Sequence, residues 1–161
     1  MGRVSRGVRG IRLKDDDYVI GVVSVEEDKK LLTITENGFG KRTEFEDFRL
    51  MKNRGGGGVT CHNLTEKTGL LAGIIAVGDD DDVMMITDSG VIIRTPAEDI
   101  STYSRTASGV IVMRLEKGQK LVNITKTAKE EEPEETEAID SLTEGSETEI
   151  TAPVAEENEE I

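Results

Sequence analysis

A chain of 161 residues suffices for one ordinary domain, and its single cysteine, Cys61, excludes an internal disulfide framework. No apolar run approaches the roughly 20 residues needed to cross a bilayer, and the basic, glycine-rich start lacks the apolar centre of a signal peptide, so the chain reads as soluble and unexported. With no tryptophan, three phenylalanines and two tyrosines, the core must rest on Val, Ile, Leu and Met, while a net charge of −13 argues, as an average, against binding nucleic acid.

From the N-terminus, Arg3, Arg6, Arg9 and Arg12 recur every third residue through a glycine-containing opening. YVIGVVSV (18–25) and KLLTIT (30–35) follow, rich in branched residues that favour strands. ENG then marks a hairpin in which Gly38 supplies a positive φ. Lys41, Arg42, Arg49, Lys52 and Arg54 cluster ahead of the glycine run in KNRGGGGVTC (52–61). Cys61 and His62 are neighbours on an expected strand, so their side chains point to opposite faces, a poor geometry for a nucleophile and its base. Asp79 to Asp82 form an acidic turn whose repulsion solvent relieves; the run lacks the spaced oxygens and glycine of an EF-hand, which argues against calcium. DSG at Gly90 repeats the hairpin signal, and GVIIRT (90–95) and GVIVMRL (109–115) are further expected strands. The last segment, 130–161, holds 14 acidic and no basic residues, which leaves 20 basic against 19 acidic residues in 1–129. Its isolated apolar residues cannot offset the entropy of ordering it, so it is expected to be disordered. Its plain role is solubility; the sharper one is a tethered polyanion that competes for a basic surface.

The chain repeats. LLTITENGFGKRTEFEDF (31–48) aligns with VMMITDSGVIIRTPAEDI (83–100) at an offset of 52. RGVRGI (6–11), RGGGGV (54–59) and RTASGV (105–110) form a second series, and VVSV (22–25), IIAV (74–77) and, more loosely, LVNI (121–124) a third. A unit of about 50 residues with four short strands suits a propeller-like array in which neighbouring blades bury one another's faces. About two and a half units are present, too few to close a ring, which suggests a fragment or missing neighbours, with an open repeat array or a closed dimer as the alternatives.

Enzymatic signatures are scarce. GxxxxGK[ST] is absent, no GxGxxG opens a helix after a strand, and the carboxylates converge on no recognisable pocket. No autonomous active site is expected, no cofactor, and no metal. The basic residues carry more information: on one rim of a curved array they could meet successive phosphates of a bent duplex. The competing reading is a charged surface paired with Glu44, Glu46, Asp47, Glu98 and Asp99.

The succession RGVRGIRL (6–13), ENGFGKRTEFEDFR (36–49), RGGGGV (54–59), LTEKTG (64–69), MMITDSGVIIR (84–94) and SRTASGVIVMRLEKG (104–118) resembles the C-terminal region of the A subunits of bacterial DNA gyrases, type IIA topoisomerases. The resemblance covers residues 1–129 and implies an all-β, partial β-pinwheel, the last two to three blades, with 130–161 as an acidic tail. It implies DNA binding and wrapping in support of ATP-dependent negative supercoiling, with no catalysis in this fragment and with ATP and Mg2+ used by the complete complex. Implied partners are double-stranded DNA, the upstream part of the gyrase A subunit, and the gyrase B subunit in an A2B2 assembly, in the cytoplasm on the bacterial chromosome. The A-type subunit of topoisomerase IV and a protein-interaction β-repeat are the alternatives. Tyr18 and Tyr103 match blade positions rather than the family's cleavage tyrosine. The family's wrapping signature, QRRGGKG, is absent; NRGGGG (53–58) fits a degenerate later copy, with Gly57 where lysine is common. The basic positions carried over as DNA contacts are Arg6, Arg9, Lys41, Arg42, Lys52, Arg54, Arg94 and Arg105.

Overall fold

The computed structural model describes residues 2–129. The tail expected over 130–161 lies outside the described residues. Among the described residues there are seven strands: β1 (Lys30–Thr35), β2 (Phe39–Glu44), β3 (Leu71–Val77), β4 (Asp81–Thr87), β5 (Ile92–Pro96), β6 (Val110–Ile111) and β7 (Leu121–Ala128). All are antiparallel to their neighbours, in one sheet ordered β3-β1-β2-β6 and another ordered β5-β4-β7.

The repeat in sequence is a repeat in backbone. Each hairpin, β1-β2 and β4-β5, turns through a glycine with positive φ, 78° at Gly38 and 82° at Gly90, as the ENG and DSG signals predict. Each ends in a single 3-10 turn, Phe45–Asp47 and Ala97–Asp99. The third strand of each sheet comes from further along the chain, β3 pairing with β1 and β7 with β4. Both pairings carry the same irregularity, between Ile34 and Thr35 and between Ile86 and Thr87. Thr35 pairs with Leu71 and Thr87 with Leu121, so LVNI (121–124) corresponds to LAGI (71–74) and not, as the sequence suggested, to IIAV (74–77). The register is set by the bulge rather than by the best match of branched residues.

Blades exchange strands. The fourth strand of the first sheet, β6, follows β4 and β5 in the chain yet pairs with β2, Phe39 opposite Ile111 and Gly40 opposite Val110. Glycines make room for it: a Cβ at Gly38 would fall on the carbonyl oxygen of Met113, and one at Gly109 on that of Gly40. The two sheets share one core, in which Leu32, Ile34 and Val77 of the first meet Val83, Met85, Leu121 and Ile124 of the second. Ala97, Ile100 and Met113 complete it without an aromatic side chain, as the composition requires.

Three expectations are corrected. YVIGVVSV (18–25) forms no strand; it corresponds to β3 in the repeat but pairs with no strand among the described residues. Tyr18, Val22 and Val25 are accordingly exposed. GVIVMRL is a strand only at Val110–Ile111. Asp81 and Asp82 belong to β4 rather than to the acidic turn, and Asp82 is buried beside Arg94.

Candidate nucleic-acid interface

Three glycine joints, RGVRGI (6–11), RGGGGV (54–59) and RTASGV (105–110), are tied together in series. The first touches the second through the amide of Arg12, which donates to the carbonyl of Gly56 at 2.8 Å, and that of Gly55, which donates to Gly10 at 3.0 Å. The second touches the third through the Asn63 amide on the Ala107 carbonyl at 3.1 Å. Arg105 Nη1 donates to the Thr60 carbonyl at 3.0 Å, and Asn63 Nδ2 to Ser108 Oγ at 3.0 Å. Gly55 and Gly58 both have a φ of 78°, a left-handed conformation that non-glycine residues adopt at a cost of about 1–2 kcal/mol. KNRGGGGVTC is therefore a hydrogen-bonded joint between units.

Of the sequence-predicted contacts, Arg6, Arg9, Lys52 and Arg54 are exposed on these joints, and Arg105 is half-buried on the third. Arg9 packs beside Gly55, where an added Cβ would stand at ordinary contact distance from the Arg9 stem. The other three are committed within the protein. Lys41 is 0% exposed and donates from Nζ to the Ser104 carbonyl at 2.6 Å. Arg42, on the other face of β2, is 6% exposed and donates to the carbonyls of Ile100 and Glu98 while pairing with Asp79. Arg94 binds Asp82 at 2.7 Å and the Ala128 carbonyl at 2.9 Å. Arg42 and Arg94 thus join each hairpin to chain lying beyond it.

Burial shapes the chemistry under the second and third joints. It pushes the Lys41 ammonium below its usual range, an effect opposed by Cys61 and Asp47. Burial and then the Lys41 charge depress His62. Burial raises the Cys61 thiol, which makes it a poor nucleophile at neutral pH. His62 is 4% exposed; its Nε2 lies 3.0 Å from the Ser108 carbonyl and its Nδ1 2.9 Å from Thr33 Oγ1. A carbonyl only accepts, so Nε2 carries the proton and Nδ1 accepts from the threonine hydroxyl. Sequence reading assigned His62 no task, because its partners are 29 and 46 residues away.

A second basic surface was not foreseen. A cleft of about 690 Å3 is lined by Phe39, Lys67, Ile111, Arg114 and Lys120, with the Lys67 ammonium 5.4 Å from the centre of the Phe39 ring. Among the described residues no group of three or more His, Cys, Asp or Glu could hold a metal, and no helix is long and apolar enough to cross a membrane.

A family model described as the DNA gyrase C-terminal domain, beta-propeller, matches residues 1–26, 29–77 and 81–128, one stretch per repeat. The chain is 47% identical over 118 residues to the DNA gyrase A subunit of Aminobacterium colombiense, covering 73% of this chain and 14% of that protein. It is 40% identical over 157 residues to the corresponding protein of Salmonella typhimurium, covering 97% and 18%. It thus spans less than a fifth of these relatives. A solved DNA gyrase A C-terminal domain superposes with a TM-score of 0.69 at 33% identity, covering 74% of this chain and 41% of that one. A topoisomerase IV C-terminal domain does so with 0.68 at 22% identity, covering 75% and 38%, which is likeness of fold alone.

Proposed function

The chain belongs to the DNA gyrase C-terminal domain family, and from that premise we propose that it binds duplex DNA and wraps it along the three glycine joints. The observation that carries this reading is the serial hydrogen bonding of those joints, which sets exposed arginines of successive units on one connected stretch of backbone. Arg6, Arg9, Lys52, Arg54 and Arg105 contact phosphates. Lys41, Arg42 and Arg94 serve the framework; the burial of Lys41 and Arg42 and the internal bonds of all three support that division.

The mechanism is electrostatic and geometric. Each phosphate neutralised by an arginine or lysine releases condensed counterions, and five contacts give a slope of log K against log salt of about −4.5. Bending a duplex of some 20–30 base pairs through a wide angle costs of order 1–6 kcal/mol, which these contacts offset. A preformed rim makes the bent path favourable without reading bases, because phosphates carry position and not sequence. In the complete A subunit this wrapping presents a DNA crossing for strand passage driven by ATP with Mg2+, in an A2B2 complex with the B subunit on the bacterial chromosome.

Two measurements test the reading. Duplexes of equal length and unrelated sequence should bind the chain with the same affinity and the same salt dependence; a strong preference for one sequence would contradict contact through phosphates. A complete A-type protein carrying this region should introduce negative supercoils with its B partner, as gyrase does. Relaxation without supercoiling would assign the region to a topoisomerase IV.

A further inference from the structure

We propose that Lys41 and His62 are positioning residues for DNA contact: they hold the 104–109 segment, and with it Arg105, against the neighbouring joint. The inference rests on the wrapping function above and assigns a task to two groups that the rim itself does not use.

Lys41, His62 and Asn63 fix this segment from outside. Lys41 Nζ reaches the Ser104 carbonyl from β2, and His62 Nε2 reaches the Ser108 carbonyl, so both ends of the short loop hang on buried side chains. Between them the Ala107 carbonyl accepts from the Asn63 amide, and the Ala107 amide donates to Ser104 at 3.1 Å. Just past the loop, Gly109 sits so close to Gly40 that a Cβ would not fit. Arg105 lies within this clamp, and among the described residues its one hydrogen bond, to Thr60, leaves four of its five N–H donors for other partners.

Neither group is placed to meet phosphate. Lys41 is wholly buried, and its bond to Ser104 is a charge-assisted one in a site of low dielectric, where removing the donor leaves the Ser104 carbonyl with the Ala107 amide of its own loop and no tie to β2. His62 is nine-tenths buried and neutral, with one nitrogen on β1 and the other on the loop. Their effect on DNA therefore passes through the loop backbone. A lysine that contacted DNA itself would act independently of Arg105; a lysine that places Arg105 would not.

A double-mutant cycle in the full chain separates the two. Lys41→Met and Arg105→Ala should each weaken binding of a duplex at low salt by about tenfold, as loss of one charge-assisted contact does, and the double variant should be no weaker than the worse single one. Additive losses, or unchanged binding by Lys41→Met, would overturn the proposal. Without DNA, amide exchange at Asn63 and Ala107 should quicken in Lys41→Met while β1 and β4 keep their protection; unchanged exchange at both amides would also overturn it. His62→Gln, whose amide can still donate to Ser108, should bind DNA nearly as the parent does, and His62→Ala should not. Equal binding by those two would remove His62 from the role, and this arm remains decisive if Lys41→Met fails to fold. Failure of the unsubstituted chain to bind DNA would instead strike at the wrapping function, and the exchange result would show whether the clamp stands without it.

Discussion

Arg42 shows how charge misleads when it is read without a fold. In the sequence it belongs to a basic cluster; in the structure its guanidinium satisfies two carbonyls of the next unit and Asp79. Substitution by methionine keeps the stem and strands both carbonyls, so Arg42→Met should lower stability by about 2–4 kcal/mol in chemical denaturation, whereas Arg54→Ala, at an exposed position, should change it by no more than about 0.5 kcal/mol. Lysine is no substitute, since a single ammonium cannot span the three acceptors. His62 gives the corresponding acid effect. Its folded pKa lies below the ordinary 6.5, so the unfolded chain binds the proton more readily. The stabilisation from neutral His62 is complete above about pH 6.5 and is lost as pH falls toward the lower folded value. Thermal unfolding between pH 7 and 5 should show a decline that His62→Gln flattens. The turn glycines were legible as residues because φ is a local property. The burial of Lys41 and Arg42 was not, because β2 is central in its sheet and chain from the next unit covers it, so neither face of the strand reads as solvent.

Among elements, the hairpins were legible and their partners were not. β1, β2, β4 and β5 follow from branched runs separated by a glycine turn, which is information within a dozen residues. That β3 and β6 complete the sheet of the β1-β2 hairpin depends on pairings 36 to 72 residues apart, and no local pattern encodes them. The two-residue length of β6 has the same origin: the chain leaves β2 once Gly109 has crossed Gly40 and Met113 has reached Gly38. YVIGVVSV has the composition of a strand and pairs with none among the described residues. Hydrogen exchange should rank the elements accordingly. Amides of β1 and β4, each flanked by strands on both sides, should be slowest, and those of 2–29 should exchange within the first time points. Slow exchange across 18–25 would mean that this segment finds a partner strand in solution.

For the molecule as a whole, the average charge conceals the division that matters. The 14 acidic residues beyond 129 account for the excess, and 1–129 is close to balanced. Deleting 130–161 should therefore strengthen DNA binding at low salt and matter little at high salt, because long-range repulsion is screened within about 10 Å at 0.1 M. Affinities that match at every ionic strength would deny the tail this role. The arginines at repeat spacing made a rim conceivable from sequence; which of them face outward had to come from the packing. The central claim is that DNA is held through phosphates at the three glycine joints. Its most direct test is the salt dependence of duplex binding by the chain and by its Arg6→Ala, Arg54→Ala, Arg105→Ala triple variant. The slope of log K against log salt should become shallower by about 2.7, the effect of three lost phosphate contacts. A triple variant that folds and keeps the parent's slope would contradict the account.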